Sequence, residues 1–265
     1  MARSTPHRAS LSLLGSSTLV GLGLVLLLNS FMLLGEVQLG SLWPLALVGL
    51  GLLVLVRGDL APNDQTRRFS ITRGSVQSAT LEISAGDVDV TLMALPVEQQ
   101  ERLVVGSFAL AARPALSVND THALVRMDRA EVGWNSLAEW EVRLAQNVPW
   151  VIYTSTSTGQ QIIDLSELVL AQAHLASGIG AIRLVLPREF LEGAWVQVRV
   201  NLAVLTISTP LGLRVLVQAQ GRFLRLNADP ARYQLTAEGW RSSADETLPL
   251  LRVQISGTFG DVRLV

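Results

Sequence analysis

Two kinds of hydrophobic patterning divide this chain. From Ala9 to Gly35 no side chain is charged, Glu36 interrupts, and Val37 to Val56 is again uncharged up to Arg57. A bilayer core takes about 20 apolar residues of helix, so the pattern predicts a transmembrane helical hairpin over 1–57, with helices at about 11–34 and 42–56. The second span is the shorter; local thinning of the bilayer or snorkelling of its flanks accommodates such a span. Pro44 suits a helical first turn, where its missing N–H costs nothing, and Trp43 suits the membrane interface. A cleaved signal peptide is the rival reading of Arg3 and Arg8 before an apolar run, but a second apolar run follows within a few residues.

Beyond the polar, turn-rich linker at 58–66 the period becomes two. Thr80–Ser84, Asp87–Leu92, Trp140–Leu144, Ile182–Leu186, Trp195–Val200 and Leu251–Ile255 alternate apolar with polar residues, the pattern of half-buried strands. Turn residues separate them at Ala85-Gly86, Asn119-Asp120, Asn147–Pro149, Ser177-Gly178, Thr209-Pro210 and Asp229-Pro230. One helical candidate lies around Ser136–Glu141. Residues 67–265 therefore read as an all-β domain, with a division into two β subdomains near 147–150 left open.

A signature recurs as Gly86-Asp-Val-Asp-Val, Gly180-Ala-Ile-Arg-Leu and Gly260-Asp-Val-Arg-Leu. Each reads as a strand, a glycine turn and a second strand, which suggests coils stacking as in a β-solenoid. The spacing is uneven and argues against a regular solenoid; a β-sandwich is the alternative.

Lys and Arg counts set the orientation of the hairpin. Arg3 and Arg8 precede it, Arg57, Arg67, Arg68 and Arg73 follow it, and the connecting loop has no basic residue. By the positive-inside rule both termini and the β domain lie in the cytoplasm. The net charge of −1 offers no field for nucleic acid. The absence of cysteine excludes disulfides, thiolate metal sites and cysteine nucleophiles.

Candidate chemistry is sparse. His7, His122 and His174 are far apart and none stands at metal-ligand spacing with Asp or Glu; His174 reads as a strand-face residue. Ser177-Gly178-Ile179-Gly180 lacks the third glycine and the following helix of a dinucleotide loop, and reads as a turn. Asp87 and Asp89 share a strand face and read as a solvated face rather than an acid pair or calcium site. Thr154–Thr158 is a hydroxyl run that reads as an exposed strand, with phosphorylation or a polar ligand as the rarer alternatives. Trp134, Trp140 and Trp150 form either a binding platform or a plug for an open end of the β core, and the plug is preferred. No catalytic, cofactor or metal residue is assigned.

Asn29–Leu34 ahead of Ser41-Leu-Trp-Pro-Leu45 resembles the membrane domain of LiaF-like proteins, the bacterial cell-wall-antibiotic response family. Val148-Pro-Trp150, Ile163–Leu168 and Ser177–Pro187 resemble the toast-rack β domain at the C-terminus of the same family. The resemblance implies a non-enzymatic regulatory protein of the bacterial inner membrane. Its partners would be the lipid bilayer and a membrane histidine kinase or other membrane protein. This chain departs from the characterised members in having one hairpin rather than four spans, and a longer β region. Self-association through a flat β surface is expected, and the second functional reading is a membrane-tethered β scaffold or adhesin-like module without signalling.

Overall fold

Alternating burial organises the chain into strands that are inward at every second residue. The computed structural model describes residues 67–108, 114–128, 139–245 and 247–265; the predicted hairpin lies outside them. Among the described residues no helix is long and apolar enough to cross a membrane.

Short strands come first: β1 (Arg67–Thr72), β2 (Ser78–Gly86), β3 (Asp89–Ala94), β4 (Arg102–Phe108), β5 (Ala115–Asn119), β6 (His122–Asp128) and β7 (Glu139–Leu144). Three long strands follow, β8 (Pro149–Asp164), β9 (Val169–Val185) and β10 (Glu189–Ser208). The chain ends with β11 (Val215–Ala228), β12 (Tyr233–Thr236), β13 (Gly239–Ser242) and β14 (Leu251–Leu264).

Each long strand has two halves joined by a bend. The first half of β8 pairs in parallel with β2 and its second half with β3. A β2–β3 unit and one long strand are thus equivalent coils. The β6–β7 unit is another, since β6 pairs in parallel with β2 and β7 with β3. The coils stack in parallel in the order β6–β7, β2–β3, β8, β9, β10, β14, β11. The stacking departs from chain order at both ends: the last strand, β14, inserts between β10 and β11.

In-register pairing turns the period of two into continuous apolar rows. Val125, Leu81, Ile152, Ala173, Val196, Val253 and Val217 form one row of the first halves. Val142, Leu92, Ile163, Leu184, Ile207, Leu264 and Ala228 form one row of the second halves. All but Ala228 are buried. Covering both rows from water is the main stabilising term of this architecture.

At the bends of β9 and β14, the backbone of the neighbouring coil comes so close that only glycine fits at positions 180 and 260. Gly180 has φ +151°, and a Cβ there would stand 1.9 Å from the carbonyl oxygen of Gly159 in the coil below. This is the physical reason for glycine at Gly180 and Gly260 in the recurring signature, which takes two revisions. Ser177–Gly180 is not a turn between strands but a bend inside the continuous strand β9, and Gly260 likewise lies inside β14. Gly180 and Gly260 share a row through Ala203, whereas Gly86 pairs with Thr156. Val90, not Val88, is therefore the counterpart of Ile182, through Gln161.

The helical candidate is corrected. Residues 136–138 lie outside the described residues, and Glu139–Leu144 is strand β7, with Trp140, Val142 and Leu144 inward. Alternating burial against β3 and β4 prevails over any local helical preference there.

Candidate interaction surface

The residues singled out in the sequence occupy structural positions. Trp140 and Trp150 are fully buried, and the Trp150 indole N–H donates to the Ala145 carbonyl at 2.8 Å. Both are core side chains and form no exposed platform; Trp134 lies outside the described residues. His122 sits between two hydroxyls, with Ser78 Oγ at 2.8 Å from Nδ1 and Thr80 Oγ1 at 3.0 Å from Nε2. Asp87 accepts from Thr158 Oγ1 and Asp89 from the Gln160 N–H, each at 2.7 Å. The two carboxylates thus tie the β2–β3 connection to the bend of β8. Among the described residues no group of three or more His, Asp or Glu side chains is placed to hold a metal ion.

The hydroxyl run is revised. Ser155, Ser157 and Thr158 are exposed, but Thr154 and Thr156 point inward and are buried. They meet Gln161, which is fully buried on the other half of the same strand. Thr154 Oγ1 donates to Gln161 Oε1 at 2.8 Å, and Gln161 Nε2 donates to Thr156 Oγ1 at 2.8 Å and to the Ala176 carbonyl at 2.6 Å. A polar clasp inside the core therefore closes the bend of β8 and links it to β9.

Two surface features were not visible in the sequence, because each is assembled by register from residues one coil apart. The first is an aromatic strip on the first-half sheet. Tyr153 stacks on its row neighbour His174 with centroids 4.6 Å apart, and His174 meets Trp195 edge-on at 4.5 Å. Beside it Arg126 pairs with Glu82 at 2.7 Å. The hydrogen bond and charge of Glu82 hold the guanidinium pKa above its ordinary value. A shallow groove of about 420 Å³ follows the strip, with Glu82, Tyr153, His174, Gln197 and Arg199 among its walls.

The second feature is a row along the bend: Thr158, Ile179, Leu202, Phe259 and Phe223 stand side by side on five successive coils. Ile179 is 54% exposed, Leu202 55%, Phe259 46% and Phe223 55%. The two phenylalanine rings stack at 4.6 Å and 11°. A contiguous exposed apolar row of this kind marks an interaction surface more often than chance exposure of single residues does. Arg222, Arg225 and Asp261 flank it.

The family model described as the N-terminal domain of toast_rack, DUF2154, matches residues 62–207, more than half of the chain. The chain belongs to the toast-rack family. Its toast-rack fold also matches a solved structure from Clostridium sporogenes ATCC 15579, described as a "putative cell adhesion protein". That likeness has a TM-score of 0.68 at 17% identity and covers 76% of this chain and 98% of the other. A "putative adhesin" from Bacteroides fragilis NCTC 9343 aligns at 7% identity and TM-score 0.31, over 77% of this chain and 99% of that one. No curated protein matches the chain. The family match and the fold likeness show the all-β toast-rack domain, which is the toast-rack part of the resemblance.

Proposed function

We propose that this protein is a non-enzymatic regulatory scaffold of the bacterial inner membrane that acts by binding another membrane-associated protein. The observation that carries the reading is the exposed apolar row Ile179–Leu202–Phe259–Phe223, which a lone soluble domain gains nothing by displaying. Two uncharged stretches at 11–34 and 42–56 support a membrane anchor, and the basic flanks support a cytoplasmic β domain. The LiaF-like character of the hairpin sequence supports a place in an envelope-stress response, with a membrane histidine kinase as the partner.

Deletion of the gene, and separately a Leu202→Glu chain, tests this in cells carrying a reporter induced by cell-wall antibiotics. The expected outcome is altered reporter output in both strains, with a kinase co-purifying with the native chain and lost from Leu202→Glu. Unchanged signalling in the deletion strain would overturn the regulatory role. A second reading, a membrane-tethered adhesin-like scaffold without signalling, is favoured by the fold likeness to the Clostridium protein; co-purification of copies of the chain alone would support it.

A further inference from the structure

The stack of coils ends in four half-strand edges, and antiparallel strands cover three of them. At one end β5 covers β6, and β4, itself backed by β1, covers β7. At the other end β13, backed by β12, pairs with β11 at Leu216 and Val217. From Gln218 to Ala228, β11 pairs with β14 on one side and, among the described residues, with no strand on the other. Its inward residues Leu224, Leu226 and Ala228 pack on the core yet stay partly exposed. An edge of this length with apolar residues facing the core is a template for another strand. The described chain begins in β1, at the opposite end of the sheet.

We infer that a second copy of this chain covers that edge, with β11 pairing antiparallel to β11 about a two-fold axis at Leu224. The register follows from the side chains. Pairing centred on Leu224 sets Leu224 against itself, Phe223 against Arg225, and Arg222 against Leu226. Centring on Arg225 sets two guanidinium groups directly opposite, which is unfavourable. Centring on Phe223 brings Ala228 onto Gln218, whose side chain is already bonded to the Glu238 carbonyl of the β12–β13 hairpin. A shift by a single residue puts the leucines on the wrong face. With the axis at Leu224, the partner's Arg225 reaches Phe223, a contact type the strand already makes where Arg222 lies 5.9 Å from the Phe223 ring centroid. Asp261, in register with Arg225, offsets its charge. The contact is isologous, so it closes as a dimer and leaves no repeating edge. It extends the proposed scaffold role and does not depend on a kinase partner.

The absence of native cysteine makes single-cysteine cross-linking unambiguous. The full chain carrying Leu224→Cys is oxidised in native membranes, beside Val97→Cys, a control that is 66% exposed and lies outside β11. A mixed preparation of Phe223→Cys and Arg225→Cys chains reports the register. The expected result is a covalent dimer from Leu224→Cys and from the mixed pair, with none from Val97→Cys. In detergent, light scattering should give twice the chain mass, falling to one chain mass in Leu224→Lys that retains its native circular dichroism. A monomeric native chain, a dimer that persists in Leu224→Lys, or cross-linking no better at 224 than at 97 would each overturn the inference. Failure here with altered reporter output in Leu202→Glu leaves the regulatory reading standing.

Discussion

Replacing Gln161 with leucine should be among the more damaging near-isosteric changes in this domain. Gln161 stands in a row between Val90 and Ile182, and Thr154 in a row between Ile83 and Leu175, so these two clasp residues occupy positions that are apolar in the neighbouring coils, while Thr156 stands between Gly86 and Ser177. In Gln161→Leu the Thr154 and Thr156 hydroxyls and the Ala176 carbonyl lose buried partners. A buried polar group left unpaired costs about 1–3 kcal/mol, and hydroxyls that rotate toward their own backbone recover part of it, so a net loss of about 2–4 kcal/mol is expected. At roughly 2–4 °C per kcal/mol for a domain of this size, the melting midpoint should fall by about 4–16 °C. The triple variant Thr154→Val, Thr156→Val, Gln161→Leu removes all three side-chain partners together. It should be less destabilised than Gln161→Leu, because replacing both sides of the two hydroxyl–amide hydrogen bonds by apolar groups of similar shape is close to neutral, and the loss that remains, about 1–3 kcal/mol, is that of the Ala176 carbonyl without its side-chain donor. The assay is thermal unfolding of the full chain in detergent, followed by intrinsic fluorescence, to which the buried Trp140 and Trp150 contribute. Additivity of the three single losses in the triple variant, or a shift below about 2 °C for Gln161→Leu, would refute the clasp argument.

Gly180→Val forces a Cβ onto the Gly159 carbonyl and should abolish soluble, folded β domain, whereas Gly193→Ala, with φ +78° and nothing within 4 Å, should cost only about 1–2 kcal/mol of backbone strain; yield and melting midpoint of the two variants check this. Tyr233 is buried in the β12 cap with its hydroxyl bonded to Thr209, and burial raises its pKa although the Thr209 bond and Arg232 pull it down. The folded chain then holds the phenol proton more tightly than the unfolded one. Its contribution to stability is complete below pH of about 10 and is lost as pH rises through the folded pKa; melting curves from pH 8 to 11 should show that decline in the native chain and a shallower one in Tyr233→Phe. A cytoplasmically active reporter fused after Val265 should be active if both termini lie in the cytoplasm, and periplasmic activity at that position would reverse the predicted orientation.

Local pattern was enough to read the all-β class and the strands at Thr80–Ser84, Trp195–Val200 and Leu251–Ile255, because burial on one face of a sheet imposes a period of two on the residues themselves. Gly180 and Gly260 were legible as special positions, since close backbone approach excludes every larger side chain there, but their place in bends inside single strands was not. Which strand stacks on which was not legible, because parallel pairing joins residues a coil apart and leaves no mark in either segment alone. So the insertion of β14 between β10 and β11, the inward turn of Thr154 and Thr156 toward Gln161, and the assembly of Tyr153, His174 and Trp195 into one strip were decided by register. The bend row and the open edge of β11 belong to the same class. Ile179, Leu202, Phe259 and Phe223 are apolar residues in four separate segments, and only the tertiary stack sets them side by side in water.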